Sequence, residues 1–453
     1  MNLNEKKKVA VLGAGISGLV AAYELGKNGF QVEVFEKEAE AAGFAGTFEV
    51  AGKRLEKFYH HFFKSDKELL ALLEELGISD HVRWLPSSMG YFINGRVYDF
   101  GTPISLINFS PLSFFGKMGF GISTLRLLLK NDWETLENTT AENWLMKNAG
   151  KEAYETIWRP LLSAKFGERA QDVSMAWFWG KIKLRGSSKE NGKEVLGYLD
   201  GSLDVLIDKL IEKIMAQGGI INFGTQVLGI KREDSGLWEV KYEKFGTESK
   251  DSQTAENATT QTFENASSRT FDGVLSALPQ PVFAKLLNGD MKVVDHTAVI
   301  CTVLVMDKPL TEKYWINIGD RSLPFGGLIE HTNYLPKEEY GNKHILYLSS
   351  YMLESDVRFT ETDDQLLDKF YKALKQVNPE FIRKQVLEHH IFRSKFAQPI
   401  ITLGYSKNKP QHRVDKDLQG LYQTNMAVIY PEDRGVNYGI RDSIEAAKEF
   451  TIG

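Results

Sequence analysis

Cysteine is almost absent from this chain of 453 residues: Cys301 is the only one. A single thiol excludes internal disulfides and thiolate metal clusters, and it fits a reducing compartment. No run of eighteen apolar residues occurs, so no membrane-spanning helix is expected. A basic excess is also missing. The 55 Lys and Arg are outnumbered by 60 Asp and Glu, for a net charge of −5, which argues against a nucleic-acid partner. There is no HExxH, Cys/His cluster, Walker motif or GxSxG, which sets aside metalloenzyme, NTPase and serine-hydrolase chemistry. No metal site is expected. No signal-like apolar region precedes the first motif, and the expected location is cytoplasmic. Hydrophobic residues at 42% and charged residues at 25% are ordinary for a globular protein, and the length suits two or three domains.

What is present begins at Val9. Lys7 to Leu12 is a short apolar run, a buried strand by length and β-branching. Gly13, Gly15 and Gly18 follow in G-x-G-x-x-G spacing. An apolar-faced helix comes next, stopped by Lys27-Asn28-Gly29, and then a second strand, Gln31 to Glu36, that ends on a carboxylate. Each part has a task. Gly13 permits a tight turn, Gly15 lets the backbone approach a pyrophosphate, and Gly18 lets helix and strand pack closely. The helix N-terminus offers free N–H groups to phosphates, and Glu36 accepts from a ribose hydroxyl. The pattern predicts a dinucleotide site and leaves NAD and FAD both open.

Further along, Ser65-Asp66 precedes an amphipathic helix, and Tyr91 to Phe100 reads as a hairpin turning at Asn94-Gly95. Residues 103–130 carry many large apolar side chains among Lys117, Arg126 and Lys130. They read as pocket-lining helices, or as an interfacial surface that gives peripheral membrane contact. Leu203 to Gln217 is a periodic helix followed by strands. Residues 246–269 have little to bury and read as an exposed, mobile hairpin or loop. Ala298 to Asp307 alternates as a half-buried strand, His344 to Tyr351 is another, and Asp364 to Val377 is an amphipathic helix.

Ala42-Gly43-Phe44-Ala45-Gly46-Thr47, placed shortly after Glu36, resembles the diphosphate segment of the flavin-containing amine oxidase superfamily. That superfamily includes protoporphyrinogen oxidase-like proteins and, more distantly, UDP-galactopyranose mutases. Ala42 stands where the family has a first glycine, and Phe44 where an Arg is common. Gly224 to Ile230 is similar to the family's middle segment, with Val227 at the position that pairs with the adenine. Ser276-Ala277-Leu278-Pro279 is similar to the strand near the adenosine. Gly420 to Met426 matches a GLYLAGD-like strand in which Met426, beside Asn425, replaces the ribityl-binding Asp. Gly435 to Ile440 resembles the helix whose N-terminus faces the flavin pyrimidine, which favours FAD over NAD.

The resemblance implies an α/β (α+β) fold, a Rossmann-like domain with an interleaved mixed-sheet and helical substrate domain. It implies an FAD domain from residues 1–62, 187–285 and 390–453, and a substrate domain from 63–186 and 286–389. The cofactor contacts it implies are Gly13, Ala14, Gly15, Ile16, Ser17, Gly18, Glu36, Lys37, Gly43, Phe44, Ala45, Val227, Ala277, Asn425, Met426, Gly435, Val436, Asn437 and Tyr438. The implied activity is FAD-dependent hydride transfer with a small-molecule substrate. A redox-neutral nucleotide-sugar mutase is the alternative.

The candidates for chemistry follow from residue type. His60 and His61 sit in an aromatic frame, Lys57 to Phe63. On a strand they would point opposite ways, so that one faces the flavin as an acid or base. Lys395 sits where some amine oxidases hold a water with a lysine. Arg159, Lys165, Trp177 and Arg185 interleave cations with aromatics, and Arg434 lies just ahead of the flavin-facing helix. This composition suits an anionic substrate.

Overall fold

The computed structural model describes residues 6–452 except 42, 187–188, 191–192, 246–265 and 288–290. It is an α/β (α+β) fold built on two large sheets. The first is five-stranded and parallel, in the order Ile220–Asn222, Gln31–Phe35, Lys8–Leu12, Gly273–Ser276, Leu421–Gln423. The first strand, Lys8–Leu12, is apolar on both sides because both sides are covered. Val9 and Val11 pack with the helices Ile16–Lys27, Asp204–Ala216 and Val436–Glu449. Ala10 and Leu12 pack with Ile230, Trp238 and Phe271 of a three-stranded antiparallel sheet. From this central strand the chain passes first to one neighbour and much later to the other. The C-terminal end of Lys8–Leu12 is therefore a topological switch point, where a ligand crevice is expected.

The second sheet has seven strands, in the order Val386–Pro399, His296–Met306, His344–Met352, Gly327–Glu330, Trp315–Ile318, Met89–Ile93, Arg96–Asp99. All pairs are antiparallel except Trp315–Ile318 with Met89–Ile93. The last two strands form the expected hairpin, with Asn94 and Gly95 both at positive φ, 54° and 72°, as a type I′ turn requires. The helix Asp363–Val377 covers one face of this sheet through Leu366, Phe370 and Leu374. Helices Phe114–Leu129, Ala141–Ala149, Arg159–Phe166 and Met175–Gly186 form a separate apolar cluster.

Four expectations change. His296–Met306 is not half-buried: every residue after His296 is buried. Ile300, Leu304 and Met306 meet the Asp363–Val377 helix cluster, while Cys301, Val303 and Val305 meet a second cluster around Tyr314 and Tyr347. Residues 390–399, assigned from sequence to the dinucleotide domain, belong to the long strand Val386–Pro399 that pairs with His296–Met306. Lys193–Leu199 pairs with Val82–Pro86, so the chain after 187 is tied first to the other segment. Of the segment read as a mobile hairpin, residues 246–265 lie outside the described residues, and 267–269 lie in the strand Ser267–Phe271 paired with Trp238–Lys244.

Candidate active site

A cavity of about 2940 Å³ runs from the glycine turn at the switch point to the helices at residues 103–128. Its cofactor end is assembled from three distant segments. Gly13 adopts φ +96°, and its N–H donates to the Phe35 carbonyl at 2.8 Å. A Cβ on Gly18 would stand 1.9 Å from the Gly13 carbonyl oxygen, so only glycine allows helix and turn this close. Gly15 is the N-cap of the helix Ile16–Lys27. The first intrahelical bond there is Leu19 N–H to Gly15 O. The N–H groups ahead of it face a wall made of Gly13, Gly15, Ile16 and Ser17, a ready anion site. Ala14 is fully buried. Its N–H donates to the Glu36 carboxylate at 2.7 Å, and Glu38 N–H donates to the other oxygen at 3.0 Å. Glu36 is thereby fixed at the strand end, lining the cavity.

Lys37, paired with Glu38, lies on the same wall. The turn Gly43–Ala45 crosses in front, close enough that a Cβ on Gly43 would touch Gly15 Cα at 3.6 Å. Ala42 lies outside the described residues. Val227 and Ala277 line the same end of the cavity.

At the far end of this groove lie Asn425, Met426, Gly435, Val436, Asn437 and Tyr438. Two side-chain amides there are already committed. Asn425 accepts from Ala427 N–H at 3.0 Å and donates to Gln423 at 3.1 Å. Asn437 accepts from Leu69 N–H at 2.9 Å and donates to Glu68 at 2.8 Å, capping the helix Lys67–Glu75. What faces the cavity here is the N-terminus of Val436–Glu449, opened by Gly435. A helix dipole at this point favours negative charge. Two helix N-termini, an anchored carboxylate and glycine-lined close approaches suit an extended dinucleotide such as FAD.

Beyond the groove the cavity wall turns aromatic and cationic. His60 and His61 lie on irregular backbone after the hairpin Thr47–Glu56, not on a strand, and both line the cavity. His60 Nδ1 lies 2.5 Å from the Phe58 carbonyl oxygen. A carbonyl only accepts, so Nδ1 carries the proton and Nε2 keeps its lone pair. His61 Nδ1 meets the Tyr314 hydroxyl at 3.2 Å. Burial, then the nearby Arg434 charge, brings the His60 pKa down to about 4. Burial, then Arg185, brings His61 down to about 3. Both rings are neutral at pH 7.

A charge cluster stands beside them. Asp433 accepts from Lys165 at 2.6 Å, Lys181 at 3.0 Å and the Trp177 indole N–H at 3.2 Å. Burial alone would raise the Asp433 pKa, but Lys165, Lys181 and Arg434 pull it well below the usual carboxylate range. Arg434 donates to the Tyr351 hydroxyl at 2.6 Å and lies over the Phe44 ring at 5.5 Å. Arg185 lies over the Trp315 ring at 5.6 Å and faces Met89 Sδ at 3.5 Å. No carboxylate of the described residues pairs with it. Asp433 therefore faces three cations, Lys165, Lys181 and Arg434.

Lys165, Trp177, Arg185 and Arg434 all line the cavity, but Arg159 does not. It pairs with Glu155 one helical turn away at 2.7 Å and stays on the surface. Lys395 is at the rim, 58% exposed and paired with Glu354 at 2.9 Å, so its ammonium is directed outward. Sequence reading missed Asp433, Tyr351 and Trp315. Alternation along His344–Met352 was the available signal for Tyr351, which shares a face with Tyr347 and Ser349. Among the described residues, one group has metal-ligand composition, His412, Asp442 and Glu445, away from this cavity wall. No helix of the described residues is long and apolar enough to cross a membrane.

Comparison with known proteins places this geometry. Residues 16–448 match the family described as flavin containing amine oxidoreductase. The mitochondrial protoporphyrinogen oxidase of Nicotiana tabacum is 28% identical over 203 residues, 44% of this chain and 40% of that protein. The zeta-carotene desaturase of Solanum lycopersicum is 26% identical over 239 residues, 47% of this chain and 40% of that protein. The match thus spans less than half the length of these curated relatives. A crystal structure of reduced UDP-galactopyranose mutase superposes with a TM-score of 0.70 at 14% identity, covering 98% of this chain and 95% of that one. At that identity the likeness is one of fold.

Proposed function

The chain belongs to the flavin containing amine oxidoreductase family and is an FAD-dependent oxidoreductase, and from this premise we propose that it moves a hydride between flavin and a C–H bond of an anionic substrate with a large apolar part. The observation that carries the reading is Arg185, a guanidinium in the cavity wall with no carboxylate partner among the described residues, near neutral His61. Bound FAD supplies the hydride acceptor or donor. The chain supplies the rest. Arg185 and Lys181 hold a carboxylate or phosphate, and the half-buried Trp315 lines the path of the substrate body. Phe44, Phe58 and Phe392 pack together and exclude water. His60 Nε2, with its lone pair free, takes the proton that leaves the substrate as the hydride departs from the neighbouring atom. The Asn425 and Asn437 amides act on the scaffold, and the flavin ring end is held by backbone N–H groups and the helix dipole. The curated relatives are named for protoporphyrinogen and zeta-carotene, large bodies of apolar character, which supports a roomy cavity. Leu106, Phe120, Leu125 and Leu128 line its apolar outer part.

The test is anaerobic titration of the holoenzyme with carboxylate-bearing and uncharged candidates, following flavin bleaching near roughly 450 nm. Arg185→Met is expected to raise KM for the anionic substrate at least about tenfold while kcat stays within roughly threefold, as loss of uniform binding requires. Equal reduction by the uncharged analogue, unaffected by Arg185→Met, overturns the anionic reading. One observation favours a second function: Lys165 and Lys181 both lie over the Trp177 ring, at 5.2 and 5.6 Å, an arrangement suited to a phosphorylated sugar. A redox-neutral nucleotide-sugar mutase would act only after the flavin is reduced and would give a product isomeric with its substrate.

A further inference from the structure

The helix Phe114–Leu129 is packed inside out. The side that meets the body of the protein carries small residues. Gly116 and Ser123 are buried there with Leu127, and a Cβ on Gly119 would fall 2.1 Å from the Ala149 carbonyl oxygen. The side that faces away carries Phe115, Met118, Ile122, Leu125 and Leu129, exposed by 45% to 80%. Their spacing alternates three and four residues, which makes one continuous apolar stripe. Phe114 at its start, and Ile104 and Ile107 on the short preceding helix Pro103–Ile107, extend the patch and are equally bare. An ordinary surface helix shows the opposite pattern. Solvation does not explain a stripe of this size, because exposed apolar patches beyond a few hundred Å² mark a contact surface.

The charges around the stripe select the occupant. Between residues 103 and 130 there is no Asp or Glu, and Lys117, Arg126 and Lys130 flank the stripe. Lys117 and Arg126 have neutral partners, the Ile107 carbonyl and the Asn148 amide oxygen. Only Lys130 has an acid near it, Asp132 at 3.9 Å. A second copy of the helix would bring cations against cations along the seam, whereas coiled-coil pairing needs opposite charges there. An anionic lipid surface meets both demands: acyl chains for the stripe and headgroups for the cations. At 16 residues the helix is about 24 Å long, short of a bilayer core, so it lies in the interface plane.

We propose that the Pro103–Leu129 face docks on an anionic lipid bilayer, with the mouth of the active-site cavity set against the lipid. The second part follows from two residues. Ile104 and Leu125 belong to the exposed stripe and also line the cavity, together with Leu106, Phe120 and Leu128 behind them. The cavity therefore reaches the surface within the patch. A substrate with a large apolar part then passes from the bilayer to the flavin without crossing water. This deepens the oxidoreductase reading for the portal; the docking itself is independent of it.

The experiment is flotation of the full-length holoenzyme with vesicles of phosphatidylcholine alone and of phosphatidylcholine with about 30% phosphatidylglycerol. Two variants are run alongside, Phe115→Ser/Leu129→Ser and Lys117→Glu/Arg126→Glu. Phe115, Arg126 and Leu129 are exposed and Lys117 lies half-buried at the edge of the stripe, and folding of each variant is checked by retained flavin absorbance and by its circular dichroism. The expected result is flotation with the anionic vesicles and at least about tenfold weaker partitioning for either variant, with the charge variant also losing its dependence on salt. Wild-type protein that stays in the lipid-free fraction with both vesicle types overturns the proposal. A concentration-dependent dimer that Phe115→Ser/Leu129→Ser abolishes, without flotation, also overturns it and assigns the stripe to a second copy. Because the readout is partitioning and not flavin bleaching, its failure is distinguishable from failure of the proposed reaction.

Discussion

Gly18→Ala sets two effects against each other. Gly18 is in the first turn of the helix Ile16–Lys27, and replacing a helical glycine by alanine normally gains up to about 1 kcal/mol. Sterics oppose it. The added Cβ would stand 1.9 Å from the Gly13 carbonyl oxygen and 3.2 Å from the Ala277 Cβ. Ordinary contact needs about 3.4 Å, so helix and glycine turn must separate by roughly 1.5 Å. The atom that must move is backbone, and overpacking of this kind costs about 1–3 kcal/mol. The displaced turn is also the one that presents N–H groups to the pyrophosphate. A shift of this size moves those donors out of hydrogen-bond range, and roughly 2–3 kcal/mol of charge-assisted bonding is lost from FAD affinity. The expected outcome is a protein purified largely without FAD, with a Kd on reconstitution raised on the order of a hundredfold. Gly29→Ala is the control. Gly29 has φ +90° and nothing within 4 Å of the added Cβ. It should lose about 1 kcal/mol of stability through backbone strain and keep its FAD. Full flavin occupancy in Gly18→Ala, with an unchanged Kd, would refute the argument.

Three other perturbations read different parts of the structure. Asp433→Asn leaves Lys165, Lys181 and Arg434 facing one another without their carboxylate; a loss of about 3 kcal/mol is expected in urea unfolding, as for removal of one partner from a buried pair, and a loss below about 1 kcal/mol would show the cluster to be solvated. Burial pushes the Glu330 carboxyl up to about 8, against the pull of Leu310 and Thr311 N–H. A raised folded pKa means that the native state holds a proton the unfolded chain releases, so the stability this group supports declines as pH rises from about 4.5 to about 8. Glu330→Gln should therefore be near neutral at pH 5 and gain on the wild type by pH 8, and a pH-independent difference would contradict this. His60 and His61, held down to about 4 and about 3, should leave the rate of flavin reduction free of any histidine ionisation between about pH 5 and 8; a limb near pH 6.5 that His60→Gln removes would place a charged histidine in the resting site.

The parts of the site legible in the sequence are those whose physics is local. The glycine spacing, the carboxylate at the end of the second strand and the Asn94-Gly95 turn each express a constraint within a few residues, and each appears where it was read. Most of the misreadings are matters of distant partners; Arg159 is the exception. The strand His296–Met306 alternates like a half-exposed one, but a helix from residues 363–377 covers its second face. Asp433, between Glu432 and Arg434, looks like a surface charge. Its meaning comes from Lys165 and Lys181, 268 and 252 residues away in sequence. Arg159 was drawn into the substrate tract by its aromatic neighbours, whereas Glu155, four residues before it, already satisfies it. In residues 103–130 the apolar content was plain. The inversion of the helix was not, because only the position of Ala149 shows which side the glycines face.

The strip from Asp433 to Asn437 gathers these threads. Asp433 reaches to the helices Arg159–Phe166 and Met175–Gly186 through Lys165 and Lys181. The next residue, Arg434, reaches to the seven-stranded sheet through Tyr351 and to the cofactor turn through Phe44. Gly435 opens the flavin-facing helix, and Asn437 caps the helix Lys67–Glu75. Within five residues the chain ties together the helical cluster, the mixed sheet, the phosphate-side turn and the cofactor helix. None of these ties is a surface contact with slack in it: Asp433 and Asn437 are buried, and Arg434 is bonded and stacked. The carboxylate of the cationic wall is therefore only two residues from Gly435, which opens the helix Val436–Glu449. A change in how Lys165 and Lys181 are neutralised, such as arrival of an anionic substrate beside them, acts on the same rigid strip that positions the helix N-terminus. On the proposed reading, substrate charge and flavin electrostatics meet in this one strip of covalent neighbours.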